Sequence, residues 1–432
     1  MKRHCIGTKP ALENLSILFP NRHVFGSPPP TPLPQAGEGS QCRAVGNRSI
    51  WLPLAAVLAA VLAIGCPVPA DALEHVVLRQ NGKEISVDGR LLVEAQDGGL
   101  LLMARDGTLW TATPDELVQR TTDPAPFAPF SPDELSQRLL AELPRGFDVH
   151  RTAHYLICYD TSRVYAQWCG SLFERLYMAF TNSWQKKGFE LKDPEVPLVA
   201  IVFADRGSYV KFAKGELGDA AGSIVGYFSL RTNRMTMYDL TGVESQGRFG
   251  PRGRGTNAAQ INQVLSRPEA EQIVATIVHE ATHQIAFNCG LHQRYSDCPV
   301  WFSEGIGTYF ETPDLSSSRG WRGIGEVNRS RLAQFRKYLS SRPADSLRTL
   351  LADDRRFRDP KQALDAYAEA WSLTYYLMRQ RPQQYVEYLK LLSAKGPLLE
   401  DGPETRLDEF RKVFGDLETL DVDFLRYMSR VQ

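Results

Sequence analysis

The chain has 432 residues, of which 43% are hydrophobic and 23% are charged. This length and composition are typical of a globular protein of two or three domains with sizeable apolar cores. The 50 basic and 50 acidic residues cancel, so the formal net charge is zero. A balanced charge argues against a nucleic-acid partner or an anionic membrane surface, and it selects no particular substrate.

Residues 1–72 have the layout of an export segment. A Pro-rich stretch is followed by two arginines and then by an apolar run over residues 51–66. The A-x-A sequence at residues 70–72 is typical of a signal-peptidase cleavage site, and the run is short for a membrane span. We therefore predict a leader and signal segment that exports the chain to the periplasm or cell envelope. An uncleaved anchor and a lipoprotein signal at Cys66 are the alternatives, and a membrane partner is expected only through such an anchor or lipid.

Residues 73–123 alternate between short apolar runs and Asn-Gly or Asp-Gly dipeptides. Such dipeptides are typical of tight hairpin turns, so this segment predicts a small antiparallel β module. The four dipeptides are Asn81-Gly82, Asp88-Gly89, Asp97-Gly98 and Asp106-Gly107. Four prolines in the next eleven positions then predict a linker over residues 124–134.

An α/β lobe is predicted over residues 135–257. Its expected strands are 155–159 and 196–203, which flank a helix over 165–187. A hairpin is predicted about Thr232-Asn233, with strands over 223–229 and 235–240. The Gly- and Arg-rich residues 241–257 are typical of a mobile loop that could cover a cleft.

Residues 279–283 read His-Glu-Ala-Thr-His, an H-E-x-x-H motif. His279 and His283 at i and i+4 lie one turn apart on a helix, close enough to hold one zinc ion. Glu280 between them projects near the open coordination position, where it can take a proton from water. Apolar residues recur at helical spacing over 272–287, so the motif is expected on a buried helix. The plain alternative is a helix with one histidine in the core and one on the surface.

A third ligand is expected, because catalytic zinc sites typically use three protein ligands and a water molecule. Residues 301–311 read WFSEGIGTYFE, and Glu304 lies 304 − 283 = 21 positions after His283. This arrangement resembles the gluzincin metallopeptidases, a peptidase MA-like group whose third ligand is a glutamate on the next helix in a W-x-x-E-G context. The resemblance, here to an exported bacterial branch, implies Glu304 as the third ligand of one Zn²⁺ ion.

A further match to the gluzincins begins at Tyr367, in the sequence YAEAWSLTYYL. A tyrosine that opens such a helix in the aminopeptidase-like members donates its hydroxyl to the oxyanion, and the resemblance implies this role for Tyr367. The alternative is a core tyrosine at the end of a helix. The resemblance also implies that the hairpin about Thr232-Asn233 pairs with an extended substrate, unless it is an interior hairpin without a ligand.

The sequence departs from the gluzincins in two places. There is no G-x-M-E-N segment, with which aminopeptidases of this group hold a free amine, so endopeptidase action is favoured. Thr308 stands where thermolysin-like enzymes place an aspartate behind the first histidine, and Glu311 could take that role. His292 lies nine positions after His283, not the six used by metzincins, and is not expected to be a ligand.

Four cysteines follow the predicted leader. An even number in an oxidising compartment favours pairing. Cys289 and Cys298 bracket the connection between the two ligand helices, so we hypothesise a disulfide there. The alternative is that all four cysteines are small buried apolar side chains. The other two are Cys158 and Cys169.

These observations predict an α+β protein with a thermolysin-like, two-lobed domain, whose mostly helical second lobe over residues 258–432 carries the zinc site. The expected activity is hydrolysis of peptide bonds in a peptide or protein substrate. His279, His283 and Glu304 would hold zinc, Glu280 would act as the base, and Tyr367 would stabilise the oxyanion. The alternatives are a catalytically silent envelope binding protein and a metallohydrolase of a non-peptide substrate.

Overall fold

The computed structural model describes residues 72–241, 261, 268–312 and 323–432. The predicted leader lies outside these residues apart from Ala72. The predicted loop over 241–257 also lies outside them, apart from Thr241. Within the described part of the chain, no helix is both long and apolar enough to cross a membrane. The described residues form a mixed α+β fold, as predicted, with an antiparallel sheet first and a mostly helical C-terminal region.

The N-terminal β module is a five-stranded antiparallel sheet in the order β4-β3-β2-β1-β5. Its strands are β1 (Ala72–Gln80), β2 (Lys83–Glu94), β3 (Leu100–Ala104), β4 (Leu109–Ala112) and β5 (Leu117–Pro126). Asn81 and Gly82 both have positive φ angles, 52° and 74°, which is the requirement of a two-residue type I′ hairpin. The predicted turns at 97–98 and 106–107 are also found between strands.

The predicted turn at Asp88-Gly89 is wrong, because both residues lie inside β2. Gly89 pairs with Glu74 of β1 on one side and with Ala104 of β3 on the other. A Cβ atom at Gly89 would lie 2.6 Å from the carbonyl oxygen of Met103. The glycine is therefore needed for a close approach of two strands, which a sequence alone does not distinguish from a turn.

The predicted linker over 124–134 is shorter than expected. Strand β5 extends to Pro126, and helix α1 (Pro132–Glu142) begins with Ser131 as its N-cap. The Ser131 side chain accepts a hydrogen bond from the backbone nitrogen of Glu134, and the Glu134 carboxylate accepts one from the Ser131 nitrogen. Proline at the first helical position supports this start, so only residues 127–131 separate the two elements.

The second sheet has the order β6-β7-β8-β10-β9. Its elements are β6 (Asp148–Arg151), β7 (Tyr155–Tyr159), helix α2 (Arg163–Lys186), β8 (Leu198–Phe203), helix α3 (Arg206–Leu217), β9 (Gly226–Phe228) and β10 (Arg234–Tyr238). Strands β7, β8 and β10 are parallel, and every residue of β7 and β8 is buried because both faces are covered. The predicted hairpin is β9–β10, and β9 lies at the edge of the sheet.

The described residues after β10 are mostly helical, and two of their helices carry the H-E-x-x-H motif and Glu304. The helices are α4 (Pro268–Asn288), α5 (Val300–Phe310), α6 (Arg329–Tyr338), α7 (Ser346–Ala352), α8 (Arg355–Arg358), α9 (Ala363–Gln380), α10 (Pro382–Ser393), α11 (Pro403–Phe414) and α12 (Leu417–Met428). One large apolar core joins α2, α4, α5 and α9, and its fully buried tryptophans are Trp184, Trp301 and Trp371. The ligand helices are thus interior elements.

The connection between α4 and α5 is held by charged side chains of the C-terminal helices. Asp297 is buried, and its Oδ1 accepts a hydrogen bond of 2.5 Å from Arg406 of α11. Arg406 also contacts Asp354 at 3.1 Å, and Asp354 accepts from the backbone nitrogen of Val300 at the start of α5. These bonds fix the beginning of the helix that carries Glu304.

The hypothesised disulfide between Cys289 and Cys298 is not formed, and all four cysteines of the described residues are thiols. The two side chains face different neighbours: Cys289 contacts the hydroxyl of Tyr177, and the Cys298 sulfur lies 3.6 Å from Nδ1 of His292. Burial raises the pKa of the Cys289 thiol to about 12. The alternative of small buried side chains fits Cys158, Cys169 and Cys289, whereas Cys298 is partly buried.

Candidate metal centre

Helix α4 presents two neighbouring polar faces, each built from residues four positions apart. Gln284 and Asn288 bind the second sheet: the Gln284 amide donates to the carbonyls of Val199 (2.9 Å) and Asn233 (3.0 Å). The side-chain amides of Asn288 and Asn233 exchange two hydrogen bonds of 2.7 and 2.8 Å. Because this face is fixed on the sheet, the adjoining face with His279 and His283 is held in one orientation.

His279, His283 and Glu304 form a buried group that could hold a metal ion. Nε2 of His279 lies 3.1 Å from Nε2 of His283 and 3.1 Å from Oε2 of Glu304, and Nε2 of His283 lies 3.5 Å from Oε1 of Glu304. Tetrahedral zinc with bonds of about 2.0–2.1 Å separates its ligand atoms by about 3.3 Å. Two imidazoles and a carboxylate at these spacings fit one zinc ion. This is the only such group among the described residues.

Two glycines of α5, which were not predicted from the sequence, bring its Glu304 close to the histidines. A Cβ atom at Gly307 would lie 2.7 Å from Cε1 of His279, so α5 contacts the imidazole through bare backbone. A Cβ atom at Gly305 would lie 2.0 Å from the hydroxyl oxygen of Thr374 on α9. The G-x-G spacing beside Glu304 was the available signal for this close packing of three helices.

The charge of Glu304 suits a metal ligand. Burial raises the pKa of its carboxyl, but the neighbouring His283 and His279 outweigh burial, so the pKa is lowered overall. The carboxylate therefore stays ionised in a fully buried position.

Glu280 is buried one residue after the first ligand. Its Oε2 accepts a hydrogen bond of 3.0 Å from the backbone nitrogen of Phe228 in the edge strand β9. No other hydrogen bond to the Glu280 carboxylate is found among the described residues. Burial raises the pKa of Glu280 to about 8, against the opposing charge of His279. A carboxyl whose pKa lies near neutrality can both take up and return a proton.

Glu311 lies behind the first histidine, at the place where a supporting carboxylate was predicted. Its Oε2 is 3.7 Å from Nδ1 of His279, on the side of the ring that faces away from Glu304. This distance is that of an ion pair and is longer than a hydrogen bond, so Glu311 is placed to support the imidazole electrostatically. Arg331 approaches the same Glu311 oxygen at 3.4 Å. Thr308 cannot act in this way, because its hydroxyl donates to the carbonyls of its own helix at Glu304 and Gly305.

Tyr367 lies in the second turn of α9, four residues after its first residue, so the prediction that it opens the helix is wrong. Its ring is buried, contacts Phe357 edge-on at 5.3 Å between centroids, and lies 5.4 Å from the guanidinium of Arg331. Burial raises the pKa of Tyr367 well above its usual value, and the carboxylates of Glu304 and Glu280 raise it further. The hydroxyl therefore stays protonated and lies within electrostatic reach of the metal-ligand group.

A buried charge network, which was not predicted from the sequence, holds α9 two residues after Tyr367. Glu369 is fully buried between two guanidinium groups: Arg342 donates to its Oε1 and Arg356 to its Oε2, both at 2.8 Å. Arg342 also makes two bonds, of 2.8 and 2.6 Å, to Asp421 of α12. An acidic residue within the otherwise apolar segment A-E-A-W was the signal for a paired buried charge.

His292 is buried outside the metal-ligand group, as expected. Its ring contacts those of Phe287 and Phe302, and its Nδ1 faces the sulfur of Cys298. Burial lowers the pKa of His292 to about 3, so the ring is neutral. It serves as a core residue between α4 and α5.

Comparison with known proteins gives a partial match to a family whose function is unknown. The family model described as "Protein of unknown function (DUF1570)" matches residues 273–399. The chain is similar to that family over the segment that contains His279, His283, Glu304 and Tyr367. No curated protein matches the chain.

Proposed function

We propose that this chain is a zinc-dependent metallopeptidase of the gluzincin type that acts as an endopeptidase on peptide or protein substrates. The observation that carries the proposal is the set of three ligand atoms of His279, His283 and Glu304, which lie 3.1–3.5 Å apart in a buried position beside Glu280. A site that only stabilises the fold is usually closed by four protein ligands. Three ligands with a neighbouring carboxylate instead favour catalysis.

When bound, zinc would supply a Lewis acid that polarises the substrate carbonyl and lowers the pKa of water. His279, His283 and Glu304 would hold the ion, and Glu311 would orient the His279 ring. Glu280 would take a proton from the attacking water and return it to the leaving amine, which its raised pKa favours. Tyr367 would donate its protonated hydroxyl to the developing oxyanion, because its pKa is too high for it to ionise.

The edge strand β9 supports a peptide substrate. An edge strand presents backbone groups on one side that an extended peptide can pair with. Strand β9 pairs with β10 on one side and lies next to Glu280 through the Phe228 nitrogen. A peptide added to this edge would have its backbone close to the base and the metal ligands. The predicted export segment would place the enzyme in the periplasm or cell envelope.

The proposal is tested by metal analysis and proteolysis on one preparation. Wild-type protein purified with zinc should contain one ion per chain and should cleave casein or members of a peptide library. Glu280→Gln should keep the ion but lose about 10²–10⁴-fold in rate, because only the proton-transfer group is removed. If the wild type binds zinc but cleaves no faster than Glu280→Gln, the alternative of a catalytically silent binding protein is favoured. A chain without bound zinc would refute the metal site itself.

The alternative of a non-peptide substrate is tested on the same preparation. Ester, amide and glycan substrates are offered beside the peptide library, again with Glu280→Gln as the control. If one of these substrates is hydrolysed in a Glu280-dependent way while casein and the peptides are not cleaved, the peptidase proposal is contradicted. The protein would then be a hydrolase of a non-peptide substrate.

A further inference from the structure

The N-terminal β module supplies no metal ligand, yet it contacts the wall of the candidate site. The turn between β3 and β4 (residues 105–108, the β3–β4 turn) lies against the connection between β9 and β10 (residues 229–233, the β9–β10 loop). The backbone nitrogen of Leu109 donates to the carbonyl of Arg231 at 2.7 Å. Gly107 has φ +84°, and a Cβ atom there would lie 3.4 Å from Nδ2 of Asn233. The two segments are therefore in direct backbone contact.

Arg294 joins these two segments from a third side. It lies in the connection that follows α4, and its Nη1 donates to the carbonyls of Gly107 (2.8 Å) and Leu230 (3.2 Å). Its Nη2 lies 3.8 Å from the sulfur of Met103 in β3. No carboxylate of the described residues is hydrogen-bonded to this guanidinium, so the two carbonyls are its principal acceptors. One side chain thus connects the module, the β9–β10 loop and the chain that follows the metal helix.

An apolar cluster continues this contact to strand β9. Leu101, Met103 and Leu109 of the module share one buried cluster with Phe228 and Leu230. The backbone nitrogen of Phe228 is the group that donates to Glu280. The module therefore shares an apolar cluster with Phe228, whose backbone nitrogen bonds the carboxylate of the proposed base.

The opposite end of the β9–β10 loop is held by helix α4 and by a second contact with the module, in which Arg234 donates to Asp106 at 3.1 Å. Asn233 is bound by the side chains of Asn288 and Gln284, both on α4. Loss of Arg294 would leave these bonds and the Leu109–Arg231 bond in place, and would remove the side-chain bond to the Leu230 carbonyl, on the side of the loop that is connected to Phe228.

We propose that Arg294 is a positioning residue, which clamps the β3–β4 turn to the β9–β10 loop and so holds the Phe228 amide against Glu280. The kinetic consequence of this clamp rests on the proposed peptidase function. The clamp itself does not, because it is defined by backbone contacts that can be measured without a substrate. The module is accordingly part of the catalytic architecture and is not a separate binding appendage.

The test compares Arg294→Met and Arg294→Lys with the control Arg348→Met, which removes an arginine from an exposed ion pair with Glu404. Hydrogen exchange is measured over residues 226–231 on zinc-loaded protein, together with zinc content and steady-state kinetics. In Arg294→Met we expect exchange to accelerate about tenfold or more, since a local restraint on opening is lost. Zinc should stay at one ion per chain, because no ligand is touched.

Peptide hydrolysis should show that Arg294 acts on the position of Glu280. We expect kcat to fall about 10–100-fold in Arg294→Met with KM nearly constant, because a small displacement of a catalytic group acts on the transition state. The lysine of Arg294→Lys can donate to only one of the Gly107 and Leu230 carbonyls, so its kcat and its exchange rate should lie between those of the wild type and Arg294→Met. Arg348→Met should match the wild type in every measurement.

Each result decides the proposal. Unchanged exchange over 226–231 in Arg294→Met refutes the clamp, and faster exchange with unchanged kcat refutes its positioning role. If the wild type hydrolyses no peptide, the proposed function fails while the exchange data still decide the clamp. If Arg294→Met does not fold, hydrogen exchange of the wild type decides the proposal. Residues 104–109 and 226–231 should then exchange at similar rates, because they open together. Much faster exchange of residues 104–109 alone would contradict the proposal.

Discussion

Gly307 of α5 lies directly against the imidazole of His279, with room for a hydrogen atom and not for a methyl group. A Cβ atom at this position would be 2.7 Å from Cε1 and 3.0 Å from Nε2 of the ring. The distance between the backbone of one ligand helix and the ligand on the other is therefore set by a single glycine. This contact limits the position of the His279 ring from the side of α5, while Glu311 lies 3.7 Å from its Nδ1.

The first prediction is that Gly307→Ala weakens metal binding by displacing the His279 ring. We expect a loss of about 10–100-fold in zinc affinity, the range found when groups that orient a ligand are changed. A competition titration against a chromophoric chelator measures this loss. The matched control is Gly215→Ala in α3, where a Cβ atom meets nothing within 4 Å. The control should keep wild-type affinity and gain up to about 1 kcal/mol of stability. Equal zinc affinity in the two variants would contradict the prediction.

The second prediction concerns the hydroxyl of Tyr367. Tyr367→Phe should keep the fold and the zinc ion, and should lower kcat by about 10²–10³-fold, as is typical for the loss of one oxyanion donor. Tyr376→Phe is the control, because Tyr376 is buried on the same helix and its ring contacts Phe424 and Tyr427. Steady-state kinetics with one peptide substrate measure both variants. A wild-type kcat in Tyr367→Phe would assign this residue to the core alone.

The third prediction is that metal removal lowers thermal stability, because the ligands join α4 to α5. At a free zinc concentration one hundred times the dissociation constant, binding adds about 2.7 kcal/mol to the free energy of unfolding. Differential scanning calorimetry should therefore show a lower Tm after chelation and recovery when zinc is restored. His283→Ala should respond to neither treatment. A Tm that is independent of zinc in the wild type would argue against the site.

The fourth prediction concerns the buried pair of arginines around Glu369. Glu369→Ala would leave Arg342 and Arg356 without their shared carboxylate, and breaking such a buried pair costs about 3–5 kcal/mol of stability. Urea unfolding measures the change. The control is Glu404→Ala, which removes the exposed partner of Arg348 and should cost less than about 1 kcal/mol. Similar losses in the two variants would show that the network does not stabilise α9.

Local patterns predicted the features of this chain that depend on neighbouring residues in the sequence. His279 and His283 share a helix face because of their spacing, and Gly290, with φ +81°, lies just beyond the end of that helix where the sequence predicted a stop. The packing of Gly89 and the partners of Glu369 depend on strands and helices distant in the sequence, so no local pattern reveals them. The hypothesis of a Cys289–Cys298 disulfide was wrong because two residues that are near each other along the chain need not have side chains that face each other.

The contacts of Asp297 and Arg342 define how much of the chain the metal-ligand segment needs in order to fold. The segment matched by the family model ends at residue 399, whereas Asp297 is bound by Arg406 and Arg342 by Asp421. A polypeptide that stopped at the family boundary would bury Asp297 and Arg342 without these partners. We therefore expect the matched segment not to be an autonomous folding unit, and a soluble fragment would have to extend through α12.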